Sequence, residues 1–331
     1  MSRIKRYIDV FVPLITCNMS CPYCYVPQLN LSRKELPEFR YSPEYIAKCL
    51  SKKRLGGACF FSLCAHGETL LLKELTAVVD AILGEHFVSL VTNGTISKRI
   101  DEIIKLPRHR LKRLFIKFSF HYLELLRLGL MKDFILNIEK IKRAGCSYTI
   151  EMTPYDELIP YIEEIKKFCV DNFGALCHVT VARDNSQKEL PILTSLSKEN
   201  YRETWSAFKS PLFDYKLSVF NIKQTKYCYA GKFTATMNLG TGDMFQCYQG
   251  KFLQNIYENP KEPIEWNPIG NDCPEPHCFN AHVFLTLGAV PELNDTTPTY
   301  TDMRNRVCTD GSEWLTPEMK KMMKQKITRR K

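Results

Sequence analysis

Six short apolar runs, separated by longer amphipathic ones, constrain this chain more than any other feature. The strand candidates are residues 8–15, 57–64, 86–93, 113–120, 146–153 and 177–182, each rich in β-branched or aromatic side chains. Helical patterns occupy 42–53, 72–83, 131–145 and 156–174, and the last repeats apolar residues at i, i+3, i+4 and i+7 before Gly174. Ser42, Pro43 and Glu44 make a helix start. Six consecutive β-α units predict an α/β fold: a parallel sheet with right-handed crossovers, curled into a partial (β/α)6 TIM-like barrel. Ligands in such folds sit at the C-terminal ends of the strands.

Directly after the first strand comes TCNMSCPYC, three cysteines in nine residues. A structural zinc site takes four ligands and disulfides take cysteines in pairs, so three thiols point to a metal centre with one open position. The chain has 14 cysteines in 331 residues. With no cleavable signal sequence in MSRIKRYIDVFVPLIT, where Asp9 and Pro13 interrupt the apolar run, we expect a cytoplasmic, reducing setting in which clustered thiols bind metal. Cys49, Cys59, Cys146, Cys169 and Cys177 stand singly in apolar surroundings and read as small buried hydrophobes. No apolar run approaches the roughly 20 residues that span a bilayer, so no membrane association is expected. The net charge is +10, but the last twelve residues, KKMMKQKITRRK, carry seven positive charges and read as a solvated helix end or disordered arm. Without a nucleic-acid module or an aromatic-interleaved basic stripe, nucleic acid is not an expected partner.

Thiolates select iron–sulfur clusters, zinc or copper(I). In this sequence Cys17-Asn-Met-Ser-Cys21-Pro-Tyr-Cys24 resembles the CxxxCxxC motif of the radical S-adenosylmethionine (radical SAM) superfamily, including the aromatic Tyr23 before the last cysteine. The resemblance implies a 4Fe-4S cluster on Cys17, Cys21 and Cys24 whose open iron takes the amino and carboxylate groups of S-adenosylmethionine. The second strand ends in Cys64-Ala-His-Gly67-Glu68-Thr69, similar to the GGEP-type motif of that superfamily, with His66 in place of the first glycine and Thr69 in place of the proline. A glycine there lets backbone approach a ligand, and a carboxylate suits a protonated amine. By position, the resemblance marks Tyr23, Gly67, Glu68, Asn93, Ser119 and Arg183 as cofactor-binding and His121 and Glu151 as catalytic candidates. Asn93-Gly94 is also an ordinary turn, and His121 satisfies a local hydrogen bond in the plainer reading.

A second group follows. Cys228, thirteen residues, Gly242, four residues and Cys247 resemble the opening of the SPASM and twitch modules of radical SAM enzymes, and MNLGTGDMFQC reads as a tight hairpin. Cys273 and Cys278 complete four thiolates, which suit an auxiliary 4Fe-4S cluster or a tetrahedral zinc, with His277 and His282 as alternative ligands. Cys308 reads as a buried thiol. The expected domains are a barrel over 1–210, a loop-rich cluster module over 211–295 and a helical basic tail over 296–331. The resemblance implies reductive cleavage of S-adenosylmethionine and hydrogen-atom abstraction from a peptide substrate. Alternatives are a sugar, aminocyclitol or nucleotide-linked small molecule. A flavodoxin or ferredoxin is the expected electron donor. A non-catalytic zinc-binding protein is the reading from another class, and it leaves Glu68 unexplained.

Overall fold

The computed structural model describes residues 3–187, 189–271 and 273–328. Its sheet strands are β1 (Arg6–Val12), β2 (Cys59–Ala65), β3 (Phe87–Thr92), β4 (Leu114–Ser119), β5 (Ser147–Met152), β6 (His178–Val179), β7 (Thr234–Asn238), β8 (Asp243–Phe245) and β9 (Phe252–Asn255). The first six pair in parallel in chain order, as the alternating pattern predicts. They form the partial barrel and bring the ends of β1 to β6 to one rim. β1 stops at Val12, short of the expected residue 15, because Pro13 has no N–H for the ladder.

Two expected helices are interrupted. The 42–53 segment forms Pro43–Cys49, capped by Ser42 accepting from the Tyr45 N–H, and then a separate turn over Lys52–Leu55. The 156–174 segment opens as a 3₁₀ turn over Asp156–Tyr161 around Pro160, and only Ile162–Phe173 is α-helical, ending on Gly174 at φ +74°. Helix Leu75–Leu83 buries Val78, Val79 and Ile82 against the sheet, and helix Met131–Arg143 buries Phe134, Ile138 and Ile141.

The sheet does not end at β1. β7 lies parallel on its other edge, Tyr7 opposite Thr234, and β8 and β9 continue antiparallel, giving nine strands in one sheet. The expected hairpin joins β7 to β8, with Gly242 at φ +88° donating to the Asn238 carbonyl at 2.8 Å.

The C-terminal segment, expected as a solvated helix end or a disordered arm, holds a helix that is buried on one face. Helix Pro317–Met323 buries Met319, Met322 and Met323, at i, i+3 and i+4, with Ile4, Tyr7, Phe60 and Tyr300 in a second apolar cluster behind β1 and β2. Its lysines occupy the opposite face, and residues 329–331 of the basic run lie outside the described residues. Among the described residues no helix is long and apolar enough to cross a membrane.

Candidate active site

The three-cysteine loop leaves β1 and folds over the end of β2. Gly67 donates its N–H to the Leu14 carbonyl at 3.1 Å and Glu68 donates to the Thr16 carbonyl at 3.0 Å. A Cβ on Gly67 would stand inside contact distance of the Thr16 carbonyl and 2.5 Å from that of Ile15. The glycine is therefore required by the approach of the cysteine loop itself, rather than only by a ligand. Further bonds hold the loop down: Ser20 N–H donates to Glu124 at 3.1 Å, and Asn18 donates to Thr95 at 2.9 Å. Tyr23 packs at a tilt against Tyr155, ring centroids 4.2 Å apart, and its hydroxyl meets His121 Nδ1 at 2.6 Å. Cys17 is exposed, Cys21 buried and Cys24 half-buried. Burial pushes the Cys17 thiol up to about 11 and the Cys21 thiol up to about 12. A metal must therefore displace their protons on binding.

Glu68 is buried at the end of β2. Its carboxylate accepts from Leu70 N–H (2.9 Å), Thr92 Oγ1 (2.6 Å) and Asn93 N–H (2.7 Å), so it ties β2 to the end of β3. Burial raises its pKa and the three donors oppose that rise. Thr69, in the place of the motif's proline, accepts from Ala65 N–H at 3.1 Å, and His66 packs on Phe11 at 4.3 Å. Asn93 donates to Asn18 Oδ1 at 2.8 Å, which links the β3 turn to the cysteine loop. Burial pushes the His121 imidazole down to about 4, so it is neutral near pH 7.

Cys17, Cys21, Cys24, Gly67, Glu68, Asn93, Ser119 and His121 all line one cavity of about 210 Å³ at the ends of β1 to β4. Tyr23 supports this cavity from behind, through His121. Two expected site residues are elsewhere. Glu151, on β5, is ion-paired with the wholly buried Arg304. Burial alone would raise the Glu151 pKa, but Arg304 and then Lys117 outweigh it and hold the carboxyl at about 2. It does not line the cavity. Arg183 lines a second cavity of about 580 Å³, with Asp9, Tyr248, Asn280 and His282. β6 is only two residues long, so Arg183 follows it at a distance instead of ending it. The two cavities share Tyr25, Cys64, Ala65 and His66 as a common wall. Asp9 accepts from the Tyr248 hydroxyl and, at 3.0 Å, from Asn280 Nδ2.

Cys228, Cys247, Cys273 and Cys278 converge on a third cavity, of about 40 Å³, beside His277. Cys228 exchanges backbone hydrogen bonds with Gly270 at 2.8 and 3.0 Å, fixing the base of the site. Burial, then the neighbouring thiols, pushes Cys278 up to about 12. Among the described residues no three Cys, His, Asp or Glu side chains are close enough to hold a single metal ion. Of the two alternative histidine ligands, His277 lines this cavity, whereas His282 lines the second cavity and shares a small recess with His277 and Cys278. Cys308 is buried against Phe173 and Gly174, away from all three cavities.

No protein-family model and no curated sequence matches the chain. Among solved structures, SuiB of Streptococcus suis bound to S-adenosylmethionine superposes on it with a TM-score of 0.54, over 77% of this chain at 13% identity. The solved structures it resembles are radical SAM enzymes. The chain has the radical SAM fold. It spans 64% of the length of SuiB. Native anSMEcpe with bound AdoMet aligns at 15% identity over 76% of this chain and 78% of its own, with a TM-score of 0.46. BtrN in complex with AdoMet and 2-DOIA aligns at 18% over 79% and 82%, with a TM-score of 0.39.

Several residues of this radical SAM fold that shape the cavities gave no signal in the sequence. Lys216, from helix Pro211–Ser218, and Tyr248, just after β8, reach the second cavity region from far along the chain. Only Asp9, a carboxylate in an otherwise apolar strand, stood out locally, and it was read merely as an interruption of a hydrophobic run.

Proposed function

We propose that the chain is a radical SAM enzyme that cleaves S-adenosylmethionine reductively and abstracts a hydrogen atom from an unactivated C–H bond of a substrate. One observation carries this reading: the three thiols of the CxxxCxxC loop share a single cavity with Gly67, Glu68, Asn93, Ser119 and His121. A 4Fe-4S cluster on Cys17, Cys21 and Cys24 supplies, when bound, the electron that turns S-adenosylmethionine into methionine and a 5′-deoxyadenosyl radical.

The chain's own residues hold, orient and shield. Gly67 and Glu68 lock the loop that presents the thiols, and Asn93 and Tyr23 brace it from two sides. Asn93, Ser119 and Glu68 offer polar atoms to a bound amino acid and ribose. The neutral His121 ring offers a hydrogen-bond partner that does not add charge. The wall of Tyr25, Cys64 and His66 separates the S-adenosylmethionine site from a larger cavity, where we place the substrate. Phe245, Tyr248 and Phe279 line that cavity and would shield a reactive carbon from water. Thiol sulfurs around one zinc stand about 3.8 Å apart, given a Zn–S distance of about 2.3 Å. The four auxiliary thiols line one cavity but, among the described residues, no three side chains are placed to hold a single ion, and this supports a second 4Fe-4S cluster over zinc.

A peptide substrate follows from the resemblance to radical SAM enzymes with SPASM or twitch modules. A second reading has its own support. The 580 Å³ cavity is of the size that holds compact ligands and is lined by charged side chains, which suits a polar small molecule.

Anaerobic purification and reconstitution with iron and sulfide tests the proposal. About eight irons per chain are expected, falling to about four in the Cys17→Ala/Cys21→Ala/Cys24→Ala variant, with loss of 5′-deoxyadenosine formation. Zinc in place of iron, and no 5′-deoxyadenosine, would sink it.

A further inference from the structure

We propose that the substrate carries an oxyanion, a carboxylate or a phosphate, that docks against Arg183, Lys216 and His282 at the module end of the second cavity. The inference rests on that cavity being the substrate's, as proposed above.

Arg183 and His282 line both the large cavity and a recess beside it, and Lys216 lines the recess. They come from three separate parts of the chain: the segment after β6, the short helix Ala281–Phe284 and the helix Pro211–Ser218. Among the described residues Arg183 and Lys216 form no ion pair. The Lys216 ammonium donates to Thr180 Oγ1 at 2.5 Å, and the Arg183 guanidinium donates no hydrogen bond to any described residue. Carboxylates near them are already engaged. Glu151 is held by Arg304, and Asp9 accepts from Tyr248 and Asn280.

Among the described residues the region thus gathers cationic groups without free matching anions. Burial pushes the Lys216 and His282 pKa values well below their ordinary ranges, and the neighbouring cations add to the effect: Arg183 and Arg304 on Lys216, and Lys216, Arg304 and Lys117 on His282. A fold gains nothing from such crowding, which a hydrophobic side chain would remove. A bound anion supplies the missing charge and makes charge-assisted hydrogen bonds with all three groups. The recess also touches His277 and Cys278 of the auxiliary group, while the large cavity shares Tyr25, Cys64 and His66 with the cavity of the three-cysteine loop. An anion held in the recess leaves the rest of the substrate in the large cavity, which borders the proposed S-adenosylmethionine site through Tyr25, Cys64 and His66.

The test uses the reconstituted holoprotein, with inorganic phosphate and acetate as probes and sodium chloride at matched ionic strength as the control. Phosphate or acetate is expected to raise the thermal midpoint of the wild type by about 3 °C at tenfold its dissociation constant. Neither is expected to shift the Lys216→Met or Arg183→Gln variant. Lys216→Met in chloride is expected to melt no lower than the wild type, as befits removal of an uncompensated cation. A larger response to phosphate assigns a phosphorylated substrate, and an equal response assigns a carboxylate. Equal shifts in wild type and variants, or no shift in any of them, overturn the inference. So does a Lys216→Met variant that melts several degrees lower. Wild-type 5′-deoxyadenosine formation is assayed in parallel: if it persists where the anion effect fails, the docking site is wrong and the enzyme reading stands.

Discussion

A side chain at Gly67 has nowhere to go, because the carbonyls of Ile15 and Thr16 already occupy the space. Gly67→Ala is expected to cost about 3 kcal/mol, the upper end of ordinary overpacking, since the obstacle is backbone that cannot rotate away. It should also reduce the iron held by the first three cysteines, as read by iron analysis of the reconstituted variant. Gly129→Ala provides the comparison. Its φ is +68° but nothing lies within 4 Å of the new Cβ, so urea titration should show only the left-handed penalty, about 1–2 kcal/mol. Gly67 and Glu68 were legible as important residues, because their types and position follow a known motif. What they touch was not legible. The sequence points Glu68 at an amine, and its carboxylate in fact accepts three donors from Leu70, Thr92 and Asn93.

At the level of elements, the cysteine loop and the turn after β3 behave as one piece joined through Asn18, Asn93 and Thr95. Asn93 Oδ1 accepts from Thr95 N–H at 3.1 Å and from its hydroxyl at 2.7 Å, while Nδ2 donates to Asn18. Asn93→Ala should therefore cost about 1–3 kcal/mol. Amide exchange across residues 17–24 should quicken about tenfold, measured by mass spectrometry, with the amides of β4 unchanged. The β-α alternation was readable because each strand and helix declares itself within a dozen residues by its apolar period. Breaks at Pro13 and Pro160 were readable in principle from the missing N–H. Residue 183 was misplaced because β6 contributes only two residues to the ladder, a length that a run of apolar residues from 177 to 182 does not reveal.

Across the whole molecule, the C-terminal segment is fastened to the barrel by the Glu151–Arg304 pair, whose partners are 153 residues apart. Nothing local in either residue announces the other, and for the same reason the pairing of Tyr7 with Thr234 was invisible in the sequence. Arg304→Met alone leaves a buried carboxylate and should cost about 3–5 kcal/mol, whereas Glu151→Leu with Arg304→Met should recover most of it. Glu151 is held at about 2, below its ordinary value of about 4.3, so its share of stability is complete above pH 4.5 and is lost as the pH falls toward 2. Urea titrations between pH 5 and pH 3 should show that slope in the wild type and a shallower one in the double variant.

The place of β1 in the sheet has a consequence for how the protein is made. This first strand pairs with β2 on one side and β7 on the other. During translation one edge is covered once residue 65 has emerged, but the other stays bare until residue 238 leaves the ribosome. Throughout that interval a nascent strand with exposed N–H and C=O groups invites pairing with a neighbouring chain. Overexpression should therefore favour inclusion bodies, and slower synthesis at low temperature should raise the soluble yield.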